Sequence, residues 1–244
     1  MPPVTTTVAV AIICKTPAAG KSKTRLCPPL RQDECAAISA CFIGDLGRTI
    51  AGLSHPAARP CAVYTPAGSE AQLLSILPGF ALTLQGEGDL GDRLCKGIGD
   101  LLEAGHAGAI LISSDSPTLP PAILNAAVEA VLAGDQMVIA PAFDGGYALI
   151  GLSRVHPRLF ADMAWSTETV FEITMERARQ IDLPTVVLPM WYDIDDAHSY
   201  AMLEEELAGT PPAFAQPGVA PHDAPATRRF VEARNATSSQ WAAE

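Results

Sequence analysis

The stretch KTPAAGKSKTRL, Lys15 to Leu26, gathers Lys15, Lys21, Lys23 and Arg25 on one short segment of a chain whose formal net charge is −11. Positive charge concentrated in this way on an acidic chain points to a small anion held locally, and phosphate is the anion that Lys and Arg side chains on a loop hold well. Gly20-Lys21-Ser22 matches the end of the Walker pattern GxxxxGK[ST], but Lys15 stands where the first glycine must let the chain curl around a phosphate. The loop therefore reads as a cationic phosphate clamp that only imitates a P-loop, with Gly20 letting the backbone come close. The competing reading is a solvated basic turn; Leu26 and the prolines that follow it tie the segment down and weigh against that.

Carboxylates form the complementary set. In LISSDSPTLP, Asp115 follows an apolar strand-like run and precedes a Ser-Pro turn, which places a rigid carboxylate at a strand end, as a hard cation such as Mg²⁺ or Mn²⁺ requires. A cap on the helix starting near Pro120, or an Asx turn, would use the same residue equally well. In WYDIDD, Asp193 and Asp195 stand two apart and, if extended, point the same way. Three carboxylates on one rim repel unless a cation lies among them, so Asp115, Asp193 and Asp195 read together as metal ligands. Asp196 reads as the N-cap of a closing helix over 197 to 208.

Weaker signals surround these two. GDLGDRL puts Asp89 and Arg93 at a strand-to-helix junction, where helix N-terminal amides favour anions, although Asp89 or Asp92 could simply cap the helix. DGGY offers Asp144, two adjacent glycines, Gly145 and Gly146, that let backbone approach a ligand, and Tyr147 at its edge; the alternative is a hairpin turn with Tyr147 packed in the sheet. WSTETV suggests a helix capped by Ser166 or Thr167, with Trp165 either walling an acceptor pocket or packing in the core. The five histidines form no metal-ligand spacing, and no GxSxG nucleophile elbow occurs. The six cysteines include no CxxC pair and read as reduced core residues, which with the absence of an export signal predicts a cytoplasmic protein.

These residues need a scaffold, and the apolar runs supply it. Short β-branched runs at 7 to 14, 61 to 65, 81 to 85, 108 to 113, 136 to 142 and 185 to 190 alternate with helix-length stretches at 31 to 53, 89 to 104, 120 to 133 and 166 to 181. This is the βαβ pattern of a parallel sheet covered on both faces. The run at 147 to 153 follows a glycine pair too closely for a crossover and reads as an antiparallel strand in a mixed sheet. In such sheets ligands bind beyond the carboxyl ends of the strands, and Lys15, Asp89, Arg93, Ser114, Asp115, Asp144, Asp193 and Asp195 all fall there. Residues 1 to 209 read as one domain, and the Pro/Ala-rich segment 210 to 244, with no apolar period, as an extended or disordered tail. The acidic balance argues against nucleic acid or an anionic membrane as partner, and no apolar run is long enough to span a bilayer.

The ordered set KTPAAGKSKTRL, GDLGDRL, SSDSPTLP, DGGYALIGL, WST and DIDD resembles the bacterial glycosyltransferase-A-like (GT-A) family of domain of unknown function 2064 (DUF2064), from about residue 8 to 206. KTRL also looks like the corresponding element of 2-phospholactate guanylyltransferases, and some members of the first family are described as arsenosugar-pathway glycosyltransferases. The resemblance implies an α/β, Rossmann-like three-layer sandwich with a mixed, mostly parallel sheet that works with a divalent metal; it implies phosphate binding by Lys15, Gly20, Lys23 and Arg25, and metal binding by Asp115. Combined with the residue reading, it predicts a Mg²⁺-dependent nucleotidyltransferase acting on a nucleoside triphosphate and a small phosphorylated or hydroxyl acceptor. Lys23, Arg25 and Asp115 are the expected catalytic set, and Asp89 and Arg93 assist at the phosphates. Asp144, Gly145, Gly146, Tyr147, Trp165, Ser166 and Thr167 are expected around the acceptor. A nucleotide-sugar glycosyltransferase and an inactive nucleotide-binding domain are the alternatives.

Overall fold

The computed structural model describes residues 6–241; residues 1–5 of the expected domain and 242–244 of the expected tail lie outside the described residues. Seven strands form one sheet: β1 (Val8–Lys15), β2 (Ala58–Thr65), β3 (Ala81–Leu84), β4 (Gly108–Ser113), β5 (Met137–Pro141), β6 (Tyr147–Leu152) and β7 (Thr185–Val187). Their spatial order is β3-β2-β1-β4-β6-β5-β7. Every pairing is parallel except those of β6, which runs antiparallel to both β4 and β5, as the short Gly-Gly connection demands.

Alternation along the strands builds two cores. Val8, Val10, Ile12 and Cys14 of β1 face the layer of α1 (Gln32–Ala51), α2 (Glu70–Ile76), α4 (Pro121–Ala133), α6 (Ala197–Leu207) and α7 (Pro225–Trp241). Ala9 and Ala11 face α3 (Leu90–Glu103) and α5 (Val170–Gln180) on the other side. Small residues bring the layers close: a Cβ on Gly97 of α3 would meet Val63 at 3.1 Å, and Val131 of α4 fits over Gly108 and Gly151. The result is the expected three-layer α/β sandwich.

One helix has no counterpart in the sequence reading, and two expectations need correction. Helix α2, seven residues long, is too short to show a period in the sequence. Helix α5 begins at Val170 with Thr169 at its cap position; Ser166 sits at φ 63 in the preceding turn, so neither Ser166 nor Thr167 caps the helix. The described part of the expected tail, residues 210–241, is not a loose tail: after an irregular stretch it forms α7, which packs on α1. Its first amides, Ala226 N–H and Thr227 N–H, donate to the carboxylate of fully buried Asp45 at 3.0 and 2.7 Å. Phe214, in the irregular stretch, stacks on Phe143 at 5.2 Å and meets Trp191 and Tyr192 edge-on at 6.2 and 5.8 Å. Lone anchors of this kind leave no apolar period to read.

Candidate active site

The carboxyl ends of β1, β4, β5 and the segment after β7 converge on a cavity of about 490 Å³. A second, smaller cavity of about 210 Å³ adjoins it, and the two share Lys15, Arg25, Ser114, Asp115 and Asp195 as lining.

The loop after β1 is held by its own backbone. Thr16 N–H donates to Thr65 O at 2.8 Å, Ser22 Oγ accepts from Ala18 N–H at 3.1 Å, and Gly20 turns the chain at φ +69. Lys23 follows at φ 50, a left-handed conformation unusual for a side chain with a Cβ. That backbone aims its side chain inward, over the ring of Phe42 at 6.0 Å from the centroid. From the opposite side, the segment at 113–116 lies against 193–195, with Ile194 N–H donating to Asp115 O at 2.9 Å.

A cation does lie among the carboxylates, and it belongs to the protein. The Lys23 ammonium donates to Asp115 Oδ2 at 2.7 Å, Asp195 Oδ1 at 2.9 Å and Ile194 O at 2.7 Å. An ammonium has three N–H bonds, so none remains for a phosphate in this arrangement. Here Lys23 faces the carboxylates and not an open loop. Burial by itself would pull the ammonium's pKa down, but Asp115 and Asp195 outweigh it and hold the group above its ordinary value. Arg25, mostly exposed, touches Asp195 Oδ2 at 3.2 Å; Lys15 and Lys21 are exposed beside the smaller cavity.

Asp193 lies outside the ion pairs of Lys23. Ser116 Oγ, fully buried, donates to its Oδ1, yet burial, reinforced by the charge of Asp115, pushes its carboxyl up to about 7. Cys14, in the same lining, is pushed up to about 12 by burial and then by Asp115, so it is a neutral thiol and no nucleophile.

Among the described residues no three His, Cys, Asp or Glu side chains are grouped to hold a metal ion between them. The trio Asp115, Asp193 and Asp195 is thus not a three-ligand cage here, because Lys23 bridges two of its members. Asp115 and Asp193 nevertheless both line the large cavity and repel each other. One or two carboxylates completed by substrate oxygens is the donor set that Mg²⁺ ordinarily takes. These two residues fit that set.

The remaining expected residues divide. Asp144, Gly146, Tyr147, Trp165, Ser166 and Thr167 line the large cavity. Gly145 does not; a Cβ there would strike the Glu168 carbonyl, so its freedom at φ +89 serves the approach of the loop before α5 and not a ligand. Asp89 and Arg93 do not line either cavity. Asp89 is the N-cap of α3, accepting from Asp92 N–H at 2.9 Å while Asp92 accepts in return, and Arg93 Nε–H donates to Gly88 O at 3.1 Å. Asp196 caps α6 as expected, accepting from Ser199 N–H at 2.9 Å. Sequence reasoning missed Gln85, whose amide bridges Cys14 O and Val63 O at 3.1 Å each, and Leu90, Leu94, Glu168 and Val170 in the lining. Gln85 follows β3 directly and was within reach of the strand-end rule; the apolar ones carry no chemical signal. Tyr147 Oη and Trp165 Nε1 are buried without hydrogen-bond partners, which leaves two polar groups unused in the cavity wall.

The chain resembles, with a TM-score of 0.81 and 26% identity over 97% of its length and 98% of the other, a protein from Desulfovibrio desulfuricans G20 provisionally described as a nucleotide-diphospho-sugar transferase. More distant likenesses share the fold alone. A cytidylyltransferase from Leptospira borgpetersenii serovar Hardjo-bovis has a TM-score of 0.56 at 12% identity, covering 96% of each chain. A CMP:2-keto-3-deoxy-manno-octonic acid synthetase complexed with CTP has 0.54 at 8%, covering 83% of this chain and 99% of that one. No curated protein matches the chain. A family model described as "Uncharacterized protein conserved in bacteria (DUF2064)" matches residues 49–167, a span that holds GDLGDRL, SSDSPTLP, DGGYALIGL and WST. The family to which the motifs pointed is the one whose model the chain matches over residues 49–167, and the chain shares its fold with the Desulfovibrio protein.

Proposed function

We propose that the chain is a nucleotide-using transferase of the nucleotidyl type. An acceptor hydroxyl oxygen attacks the α-phosphorus of a nucleoside triphosphate, the bond from that phosphorus to the bridging oxygen breaks, and pyrophosphate leaves with the electron pair. The observation that carries this reading is the pair of joined cavities. The larger has room for a nucleoside and a small acceptor, and the smaller, bordered by Lys15, Lys21, Lys23 and Arg25, has the size and sign of charge for the two phosphates that depart. In this reading Lys15 and Arg25, at the junction, hold the phosphate chain in line, and Ser114 and the 16–22 backbone orient it. Asp115 and Asp193 are the residues that would hold Mg²⁺ or Mn²⁺, and such an ion, when bound, would supply positive charge to the phosphate oxygens.

Asp144, Gly146, Tyr147, Trp165, Ser166 and Thr167 wall the acceptor side, with Leu90, Leu94 and Val170 as apolar surface. This side carries Asp144 and Glu168, and the only cations in the lining, Lys15 and Arg25, stand at the junction. An unphosphorylated alcohol suits such a wall better than a phosphorylated one, whose charge would face carboxylates.

A second reading, transfer of a sugar from a nucleoside diphosphate sugar with the diphosphate leaving, is favoured by the likeness to the Desulfovibrio protein. Incubation with each of the four nucleoside triphosphates and with common nucleotide sugars, in Mg²⁺ or Mn²⁺ and with a panel of small alcohols and their phosphate esters, separates the two. Pyrophosphate release supports nucleotidyl transfer, nucleoside diphosphate release from a sugar nucleotide supports the second reading, and tight nucleotide binding without either product refutes both.

A further inference from the structure

The Lys23 ammonium spends all three of its N–H bonds on Asp115, Asp195 and the Ile194 carbonyl, its side chain is only 7% exposed, and it reaches this position from a left-handed backbone. A divalent cation held by Asp115 and Asp193 would have to compete with this ammonium for Asp115. We propose that Lys23 is a resident counter-ion, which, anchored on Asp195, closes Asp115 to a free divalent cation and yields it only when a triphosphate draws the ammonium onto its own oxygens. The metal then enters as the metal–nucleotide chelate and not ahead of the nucleotide.

Three observations carry this. The contacts to Asp115 and Asp195 are at hydrogen-bond length, in the distance range of a strong charge-assisted pair. Lys23 also borders the smaller cavity together with Lys15, Lys21 and Arg25, so a short swing of its side chain takes it from carboxylate to phosphate. Asp193, which Lys23 does not bridge, carries a Ser116 hydroxyl against one oxygen and faces the charge of Asp115 across the cavity lining, a place where added positive charge is favoured once Lys23 moves. The exclusion of free metal stands on the geometry alone; only the release by triphosphate rests on the nucleotidyl reading given above.

Mn²⁺ alone is the probe, titrated into the nucleotide-free full chain at fixed pH and salt, with binding read from the loss of the free-ion electron paramagnetic resonance signal. Lys23→Met, which keeps the length and removes the charge, is expected to bind Mn²⁺ about tenfold or more tightly than the wild type, the effect of deleting one competing charge-assisted contact. Equal affinity in the two proteins, or weaker binding by the variant, overturns the proposal, because a lysine that merely positions the carboxylates would help a metal and not hinder it. If Lys23→Met fails to fold, Lys23→Gln, which can still donate to Ile194 O, takes its place with the same two outcomes. In the wild type, calorimetry of nucleoside triphosphate binding is expected to show a strong gain on adding Mn²⁺ at concentrations where Mn²⁺ alone does not bind; Mn²⁺ alone binding as tightly as in the ternary complex overturns it. The pyrophosphate assay is made on the wild type and remains separate: tighter Mn²⁺ binding by the variant with no pyrophosphate release by the wild type refutes the nucleotidyl reading alone, and wild-type release without that gain in the variant refutes the counter-ion alone.

Discussion

Asp45 gives the most direct test of how the C-terminal segment is held. Its carboxylate is fully buried, accepts the Ala226 and Thr227 amides at 3.0 and 2.7 Å at the start of α7, and pairs with Arg48 Nη1 at 2.6 Å. Replacement by Ala leaves both amides without an acceptor. Each contact is charge-assisted and worth ~1.5 to 3 kcal/mol, so Asp45→Ala should cost ~3 to 6 kcal/mol. The favourable field of the helix N-terminus acts through the same two amides and is not added again. The half-exposed Arg48 contributes little more, about 0 to 1 kcal/mol. Asp45→Asn keeps an acceptor oxygen but loses the charge, and should cost about half as much. Urea unfolding followed by circular dichroism gives the total, and hydrogen exchange of the Ala226 to Val231 amides shows whether α7 detaches first. A loss under about 1 kcal/mol with those amides still protected would refute the reasoning, since buried donors stripped of a charged partner cannot be that inexpensive.

Other outcomes follow from the site. Asp115→Asn should keep the fold and lower turnover by ~10² to 10³, the cost of losing one preorganised electrostatic contact, and near wild-type product release in saturating Mg²⁺ would contradict it. Lys15→Ala and Arg25→Ala should each weaken triphosphate binding by about tenfold while leaving monophosphate binding nearly unchanged, as measured by calorimetry at fixed salt; equal losses for both nucleotides would place these cations away from the outer phosphates. The raised carboxyl of Asp193 sets a pH dependence. The folded chain keeps that proton up to about 7 while an unfolded aspartate releases it near 4, so the stability it contributes is full at acid pH and lost as pH rises through this window. With chelator present, the wild-type Tm should therefore fall between about pH 4 and 7 relative to Asp193→Asn, and parallel curves would show that the carboxyl is not perturbed.

Much of the fold could be read from the chain because its signals are local. Buried parallel strands need continuous β-branched runs, crossover helices need length, and the Gly145-Gly146 pair leaves no room for a crossover, so the antiparallel direction of β6 followed from spacing. The strand-end rule likewise points to Lys15, Ser114, Asp115, Asp144, Asp193 and Asp195, which line the cavities, and to Asp89 and Arg93, which do not. The direction of single side chains was not local. That Lys23 turns inward to Asp115 and Asp195 depends on a left-handed φ at one residue and on a partner 172 positions away, neither of which has a sequence pattern. The same holds for the helix after residue 224, which is held by a buried carboxylate on α1, by buried Val231 and by Arg228 and Arg234 on backbone carbonyls, and for Phe214 before it, wedged against Phe143, Trp191 and Tyr192. Composition determined that this chain forms a layered α/β sheet with cations and carboxylates at one end, because burial period and charge are properties of neighbouring residues. Which cation neutralises which carboxylate was decided only by the tertiary structure, because Coulomb energy depends on the few ångströms between side chains that the fold alone brings together.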